Sequence, residues 1–200
     1  MIENGNTDNS SLSSIHITKK ENIIITERIT EENNSLGFLK VISEVLTDTC
    51  EQARLHKDEK LLLVKLFMTK KRPNISIFEF IKRLYDYSQT SEDIFIIVLI
   101  YIERLKTNRK ICLNYFNIYK LILASFITAI KMNSDEIYTL EFFSKLGGIS
   151  KKDIASLEYQ FISLLDFKLL VEEKLFYKYD NYLRSVSIDN EEDCYYDSDG

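Results

Sequence analysis

One carboxylate and one amine are the most informative of the residues in this 200-residue chain that could do chemistry. Glu158 falls within the apolar stripe Ile154, Leu157, Phe161, Leu164 and Leu165 rather than on the polar side of its helix. A carboxylate set among apolar side chains stays charged only when it is paired or hydrogen-bonded. Lys131, at the end of a strongly apolar segment, is the available partner. Two readings are open at this point. The two groups pair, or Lys131 complements the negative end of its own helix while Glu158 reaches out to water.

Neither group belongs to a catalytic constellation. The sequence contains no glycine-rich phosphate loop, no nucleophile elbow and no His-x-x-x-His helix, and its two histidines, His16 and His56, fall outside the expected core. Carboxylates are plentiful, but no matched acid and base stands out among them. Cys50, Cys112 and Cys194 are odd in number and widely scattered, which argues against a disulfide framework or a zinc cluster. The expectation is a protein without catalytic activity, cofactor, metal or small-molecule substrate.

Charge and hydropathy narrow the partners. A net charge of −5 disfavours nucleic acid, whose phosphates require a basic face. The basic cluster Lys65, Lys70, Lys71 and Arg72 reads as a solvated linker, with nuclear import as the alternative. The apolar runs Ile94 to Ile102 and Leu121 to Ile130 are much shorter than the roughly 20 residues of a membrane span. The first thirty residues have no secretory pattern, so a cytoplasmic or nuclear protein is expected.

The elements that must position Lys131 and Glu158 follow from a 3.6-residue period. With 45% hydrophobic residues, one proline and five glycines, the composition predicts an all-α fold of long helices. Residues 1–34 and the acidic stretch 185–200 are expected to be disordered tails. Residues 35–72 form a helical extension, with helices over about 36–54 and 58–68. The core domain, 73–184, opens at Pro73 and the capping box Ser76 to Glu79, with a helix to about Tyr87. Further helices are expected over about 91–106, 115–132, 140–146, 150–165 and 172–183. Asn114 is expected to cap the 115–132 helix, and Gly147-Gly148 to close the short one. The 115–132 helix is apolar nearly all round and belongs at the centre, where Ala124, Ser125, Thr128 and Ala129 let neighbours approach closely.

The order of short fragments adds to the period. Pro73-Asn74-Ile75-Ser76-Ile77, Tyr101-Ile102-Glu103-Arg104, Leu113-Asn114, Ala129-Ile130-Lys131, Gly147-Gly148-Ile149-Ser150, Leu157-Glu158 and Leu165-Asp166-Phe167 follow one another at compatible intervals. Together they resemble the cyclin box, and within it the P/U-type cyclins, over about residues 65 to 183. The resemblance implies five helices around a central third, flanked by extra helices. It implies a regulatory subunit that binds and activates a cyclin-dependent serine/threonine kinase, as a heterodimer, by packing on the kinase's C-helix. A cyclin-fold scaffold of the transcription-factor kind, which activates no kinase, is the alternative.

By the same resemblance, Lys131 and Glu158 are the kinase-contacting pair, beside an apolar patch of Met132, Ile162, Phe167 and Leu169. Glu103 stands where the family has aspartate in a buried ion pair, and Arg83 is its implied partner. The loop Met132-Asn133-Ser134-Asp135 departs from the family's K-F-x-D form, and the substrate-docking motif M-R-A-I-L of cell-cycle cyclins is absent.

Overall fold

The computed structural model describes residues 19–52, 62–109 and 111–193. Among them are seven α-helices, one short 3-10 helix and no strand: α1 (Lys19–Gln52), the 3-10 helix (Leu62–Phe67), α2 (Ile77–Ser88), α3 (Asp93–Arg109), α4 (Ile118–Asn133), α5 (Leu140–Gly147), α6 (Lys151–Leu164) and α7 (Glu173–Asp193). The chain divides into two compact units, Met1–Asn34 and Ser35–Gly200. In the first, α1 starts at Lys19, well before the expected Leu36, so residues 19–34 are helical rather than a disordered tail. The account below concerns the second unit.

α4 is the central element. Every residue from Leu121 to Ile130 is buried, because α4 has α3 on one side and α6 on the other, with α2, α5 and the 3-10 helix around them. The small residues allow this crowding. Ser125 donates its hydroxyl to the Val98 carbonyl of α3 at 3.1 Å, while Thr128 returns its own to the Ala124 carbonyl. Phe126 stacks on Phe95 of α3 with ring centroids 5.4 Å apart, and Phe80 of α2 meets Tyr119 edge-on at 5.5 Å. A helix with no polar face is stable only when enclosed in this way.

Local signals start and stop the surrounding helices. Ser76 and Glu79 form a reciprocal capping box, so α2 begins directly after Pro73-Asn74-Ile75. Ser150 caps α6 through the Asp153 amide, and Thr139 caps α5 through that of Phe142. α5 closes at Gly148, whose φ of 65° is the left-handed conformation that glycine accepts freely. The chain enters α4 differently from expectation. Asn114 does not cap it; its side chain accepts from the Phe116 amide, and its carbonyl accepts from the amides of Asn117 and Ile118. This turn takes up the first residues of the expected helix, which starts at Ile118 after Asn117.

The expected helix over 58–68 is described only from Leu62, as a 3-10 helix. It is held where it ends: the Lys120 ammonium donates to the carbonyls of Leu66 and Met68, and the Thr69 amide donates to that of Phe116 at 2.7 Å. In the basic cluster, Arg72 lies with its guanidinium 3.7 Å from the Tyr115 ring centroid, a cation–π contact that gives one of the four cations a structural role. At the other end, α7 runs to Asp193, past the expected stop at Leu183, so residues 185–193 are helical and the rest of the expected acidic tail lies outside the described residues. No helix among the described residues is long and apolar enough to cross a membrane.

Candidate protein-binding site

α4 and α6 pack side by side and bring the two candidate side chains, Lys131 and Glu158, together. The Lys131 ammonium lies 2.7 Å from Oε1 and 2.8 Å from Oε2 of Glu158, donating to both oxygens. The Glu158 side chain is 18% exposed and that of Lys131 41%, so the acid is set into the surface and the base covers it from the solvent side. The sequence left pairing and independent solvation open; the structure has the pair. Its cause is visible in α6, where Ile154, Leu157, Phe161, Leu164 and Leu165 are all buried and Glu158 is carried on the margin of that face.

Each helix end then presents apolar residues next to the pair. α4 is terminated by Asn133, whose side-chain amide donates to the Ala129 carbonyl at 2.9 Å, while the Ser134 amide returns to Ile130. Met132 is left in the last turn, 55% exposed beside Lys131. α6 ends in a Schellman turn: the Asp166 amide donates to the Ser163 carbonyl and the Phe167 amide to that of Ile162, both near 3.0 Å. Asp166 sits at the left-handed position with φ 53°, and Phe167 follows at φ 58°. Ile162, four residues after Glu158, is half-buried, Phe167 is 66% exposed and Leu169 is half-buried. Two further apolar residues at this end of α6, Tyr159 and Leu170, are exposed and were not singled out from the sequence.

The result is a charged couple on a ledge of apolar side chains. Monomeric proteins seldom leave large apolar side chains clustered in water without a partner for them. The ledge can accept an apolar helix, and the pair at its edge offers an ammonium donor and carboxylate acceptors to a partner's backbone.

The ion pair expected between Glu103 and Arg83 does not form. Arg83, on the exposed side of α2, donates to the Lys145 carbonyl at the end of α5. Glu103 lies on a half-open face of α3, 3.7 Å from Lys106 one turn on. It also faces Tyr179 of α7, where its charge helps burial to push the phenol's pKa up. The two residues point to different neighbours, so the acid here is a surface group.

Arg104 stood out in the sequence only as part of a fragment and was given no role of its own. Its guanidinium donates to the carbonyls of Lys168 and Leu170 at 2.9 and 3.0 Å, gripping the strand of chain that leaves α6. Tyr101, one turn earlier on α3, donates its hydroxyl to the Leu169 carbonyl at 2.6 Å. Burial pushes the Tyr101 phenol up, partly offset by the Arg104 charge and by the Asn133 side chain beside it. No side-chain pattern announces such contacts, since the acceptors are backbone atoms distant in sequence.

Comparison with known proteins bears on this geometry. PHO85 cyclin-7 of Saccharomyces cerevisiae is 32% identical over 161 residues, 74% of this chain and 56% of the relative. Cyclin-U4-1 of Arabidopsis thaliana is 32% identical over 60% of each chain. The PHO85 cyclin-like protein psl1 of Schizosaccharomyces pombe is 34% identical over 53% of this chain and 44% of its own. In each case this chain spans less than two thirds of the relative's length. The relatives are of the P/U type that the fragment order suggested. Cyclin-U3-1, also of Arabidopsis thaliana, adds a further member of that type at 28% identity. The family model for cyclins matches residues 10–169, which takes in α2 to α6 and both members of the charged pair, and the chain therefore belongs to the cyclin family.

Proposed function

We propose that the chain is a regulatory subunit that binds a cyclin-dependent serine/threonine kinase and stabilises its active arrangement. The observation that carries this reading is the Lys131–Glu158 pair at the edge of the exposed ledge formed by Met132, Phe167 and Leu170, with Ile162 and Leu169 beneath. Family membership supports it, as do relatives named as PHO85 cyclins. A kinase is active when the ion pair between its strand lysine and its C-helix glutamate is in place. A subunit that packs on the C-helix only in that arrangement makes it the populated state, by as much as the difference in its affinity for the two states. The ledge is suited to that helix. The pair at its margin would fix the register by bonding to kinase backbone.

The test is to titrate a PHO85-type kinase with this chain, measuring both affinity and phosphate transfer from ATP to a protein substrate. Wild-type chain should raise kinase activity. Lys131→Glu and Glu158→Lys should each weaken the complex by about 2–5 kcal/mol, the loss typical when one member of a desolvated charge pair is removed at an interface. Wild-type affinity in both reversed variants would sink the reading.

A further inference from the structure

We propose that Arg104 is a positioning residue for the binding ledge. It holds the segment 166–170 in the one conformation that presents Phe167 and Leu170 to a partner, without itself forming part of the contact. The proposal rests on the kinase-binding reading above and deepens it.

Four observations converge. First, Asp166 and Phe167 are consecutive non-glycine residues with φ of 53° and 58°. Side chains disfavour this region of backbone space, bulky ones most of all, so the segment relaxes to other conformations unless something holds it. Second, beyond the turn's own bonds from the Asp166, Phe167 and Lys168 amides to the carbonyls of Ser163, Ile162 and Leu165, the segment is held by three bonds from α3 to three successive carbonyls: Arg104 to Lys168, Tyr101 to Leu169, and Arg104 to Leu170. The planar guanidinium fork suits it to span two carbonyls, one on each side of the tyrosine's acceptor.

Third, the grip is on backbone only, and two apolar side chains of the segment, Phe167 and Leu170, face solvent. Phe167 is 66% and Leu170 82% exposed. An exposed leucine and phenylalanine on a backbone fixed by charge-assisted bonds have given up conformational freedom before binding, which is the cost that pre-organised interfaces avoid at the moment of association. Fourth, the clamp is continuous with the rest of the ledge. The Tyr101 hydroxyl that bonds Leu169 also has the Asn133 side chain beside it, and Asn133 closes the helix turn that carries Lys131 and Met132. One face of α3 therefore ties together the two helix ends that make up the site.

The experiment uses the full chain with Arg104→Met, which keeps a long unbranched side chain and removes the fork, and adds Asp166→Gly as a rescue. Glycine accepts the left-handed position without strain. In hydrogen exchange on the free chain, the amides of Phe167, Lys168 and Leu169 should exchange at least about tenfold faster in Arg104→Met, while those of α4 stay protected. Affinity for a PHO85-type kinase should fall about tenfold, the order expected for losing bonds to a charged donor. The Arg104→Met, Asp166→Gly double variant should regain part of both losses, which a general loss of stability would not allow. Unchanged exchange, affinity within about twofold of wild type, or failure of the glycine to restore anything overturns the assignment. Lack of kinase binding by the wild-type chain overturns the proposed function, and this role with it. Wild-type binding with an indifferent Arg104 variant overturns this assignment alone.

Discussion

Lys131 and Glu158 hold each other by two short hydrogen bonds, yet the lysine keeps 41% of its side chain in solvent. A pair so open adds little to folding, because water screens it and the lysine loses rotamer freedom to make it. On the proposed function its value lies in what happens when the kinase covers it, since removal of one member then leaves the other buried and unpaired. Lys131→Ala should therefore lower folding stability by less than about 1 kcal/mol in urea denaturation while weakening the kinase complex by at least about 2 kcal/mol. Equal losses in the two measurements would make the pair structural. The awkward acid was legible in the sequence because it broke a helical period, and its partner because the neighbouring helix ended at a lysine. Arg104 was not legible, because an arginine that bonds backbone carbonyls more than sixty residues away leaves no trace in side-chain spacing. The pairing of Glu103 with Arg83 failed for the complementary reason. It was carried over from a resemblance, and the structure gives each residue a nearer neighbour in Lys106 and the Lys145 carbonyl.

Helix ends are where sequence and element meet most directly. The Ser76 to Glu79 box, the Ser150 cap and the closing Gly148 were each visible as residue types at fixed offsets, since the bonds they make are local. The start of α1 at Lys19 was not visible, because between Lys19 and Asn34 only Ile23, Ile24, Ile25 and Ile29 are apolar, too few to build a core. Nor was the turn after α6, where aspartate occupies the position that glycine usually marks. The capping box also carries a pH dependence. Bonds from the Ser76 amide, and then from its hydroxyl, hold the Glu79 carboxyl below its ordinary pKa. A carboxyl with a lowered folded-state pKa stabilises above its unfolded-state value, and the contribution is lost as pH falls through the folded-state value. Glu79→Gln, which can still accept both bonds, should therefore show a flatter acid limb in stability against pH than wild type, and a steeper one would contradict the box. Gly147 makes a second, steric demand. A methyl group on it would overlap the Leu123 side chain, which is buried in α4 and would have to shift. Gly147→Ala should cost about 1–3 kcal/mol as an overpacking change. Gly148→Ala, where a Cβ meets nothing, should cost only the left-handed backbone penalty of about 1–2 kcal/mol, and thermal melts of the two variants separate the mechanisms.

At the scale of the whole unit, a core built around α4 was expected and found, but the way α7 closes the fold was not. α7 is mostly polar and packs against α3, and Leu183 is its one fully buried leucine. Next to it Arg184 gathers acids from α7 and from the start of α3, donating to Glu92, just before α3, at 2.9 Å and to Asp180 at 2.7 Å, with Asp93 at 3.9 Å. Its guanidinium also lies 4.8 Å from the Phe38 ring centroid, so a residue of α1 shares the same anchor. Burial pulls the Arg184 pKa down, and the bonds and charges of Glu92 and Asp180 together outweigh it, so the net shift is upward. Glu92 immediately precedes α3, where an acid suits the positive end of the helix dipole, and it also binds the last helix back to the start of α3. Leucine and arginine contribute by different physics, and a pair of substitutions tells them apart. Leu183→Ala removes buried apolar volume and should cost about 2–4 kcal/mol at any salt concentration. Arg184→Ala removes a partly exposed charge network and should cost about 1–2 kcal/mol at low salt, less as ionic strength rises. For a chain of this size each kcal/mol corresponds to about 2–4 °C in Tm, so the two are resolvable by melts run in low and high salt. If Leu183→Ala leaves Tm unchanged, α7 is an appendage to the unit and the anchor at Arg184 is a surface contact without weight in the fold.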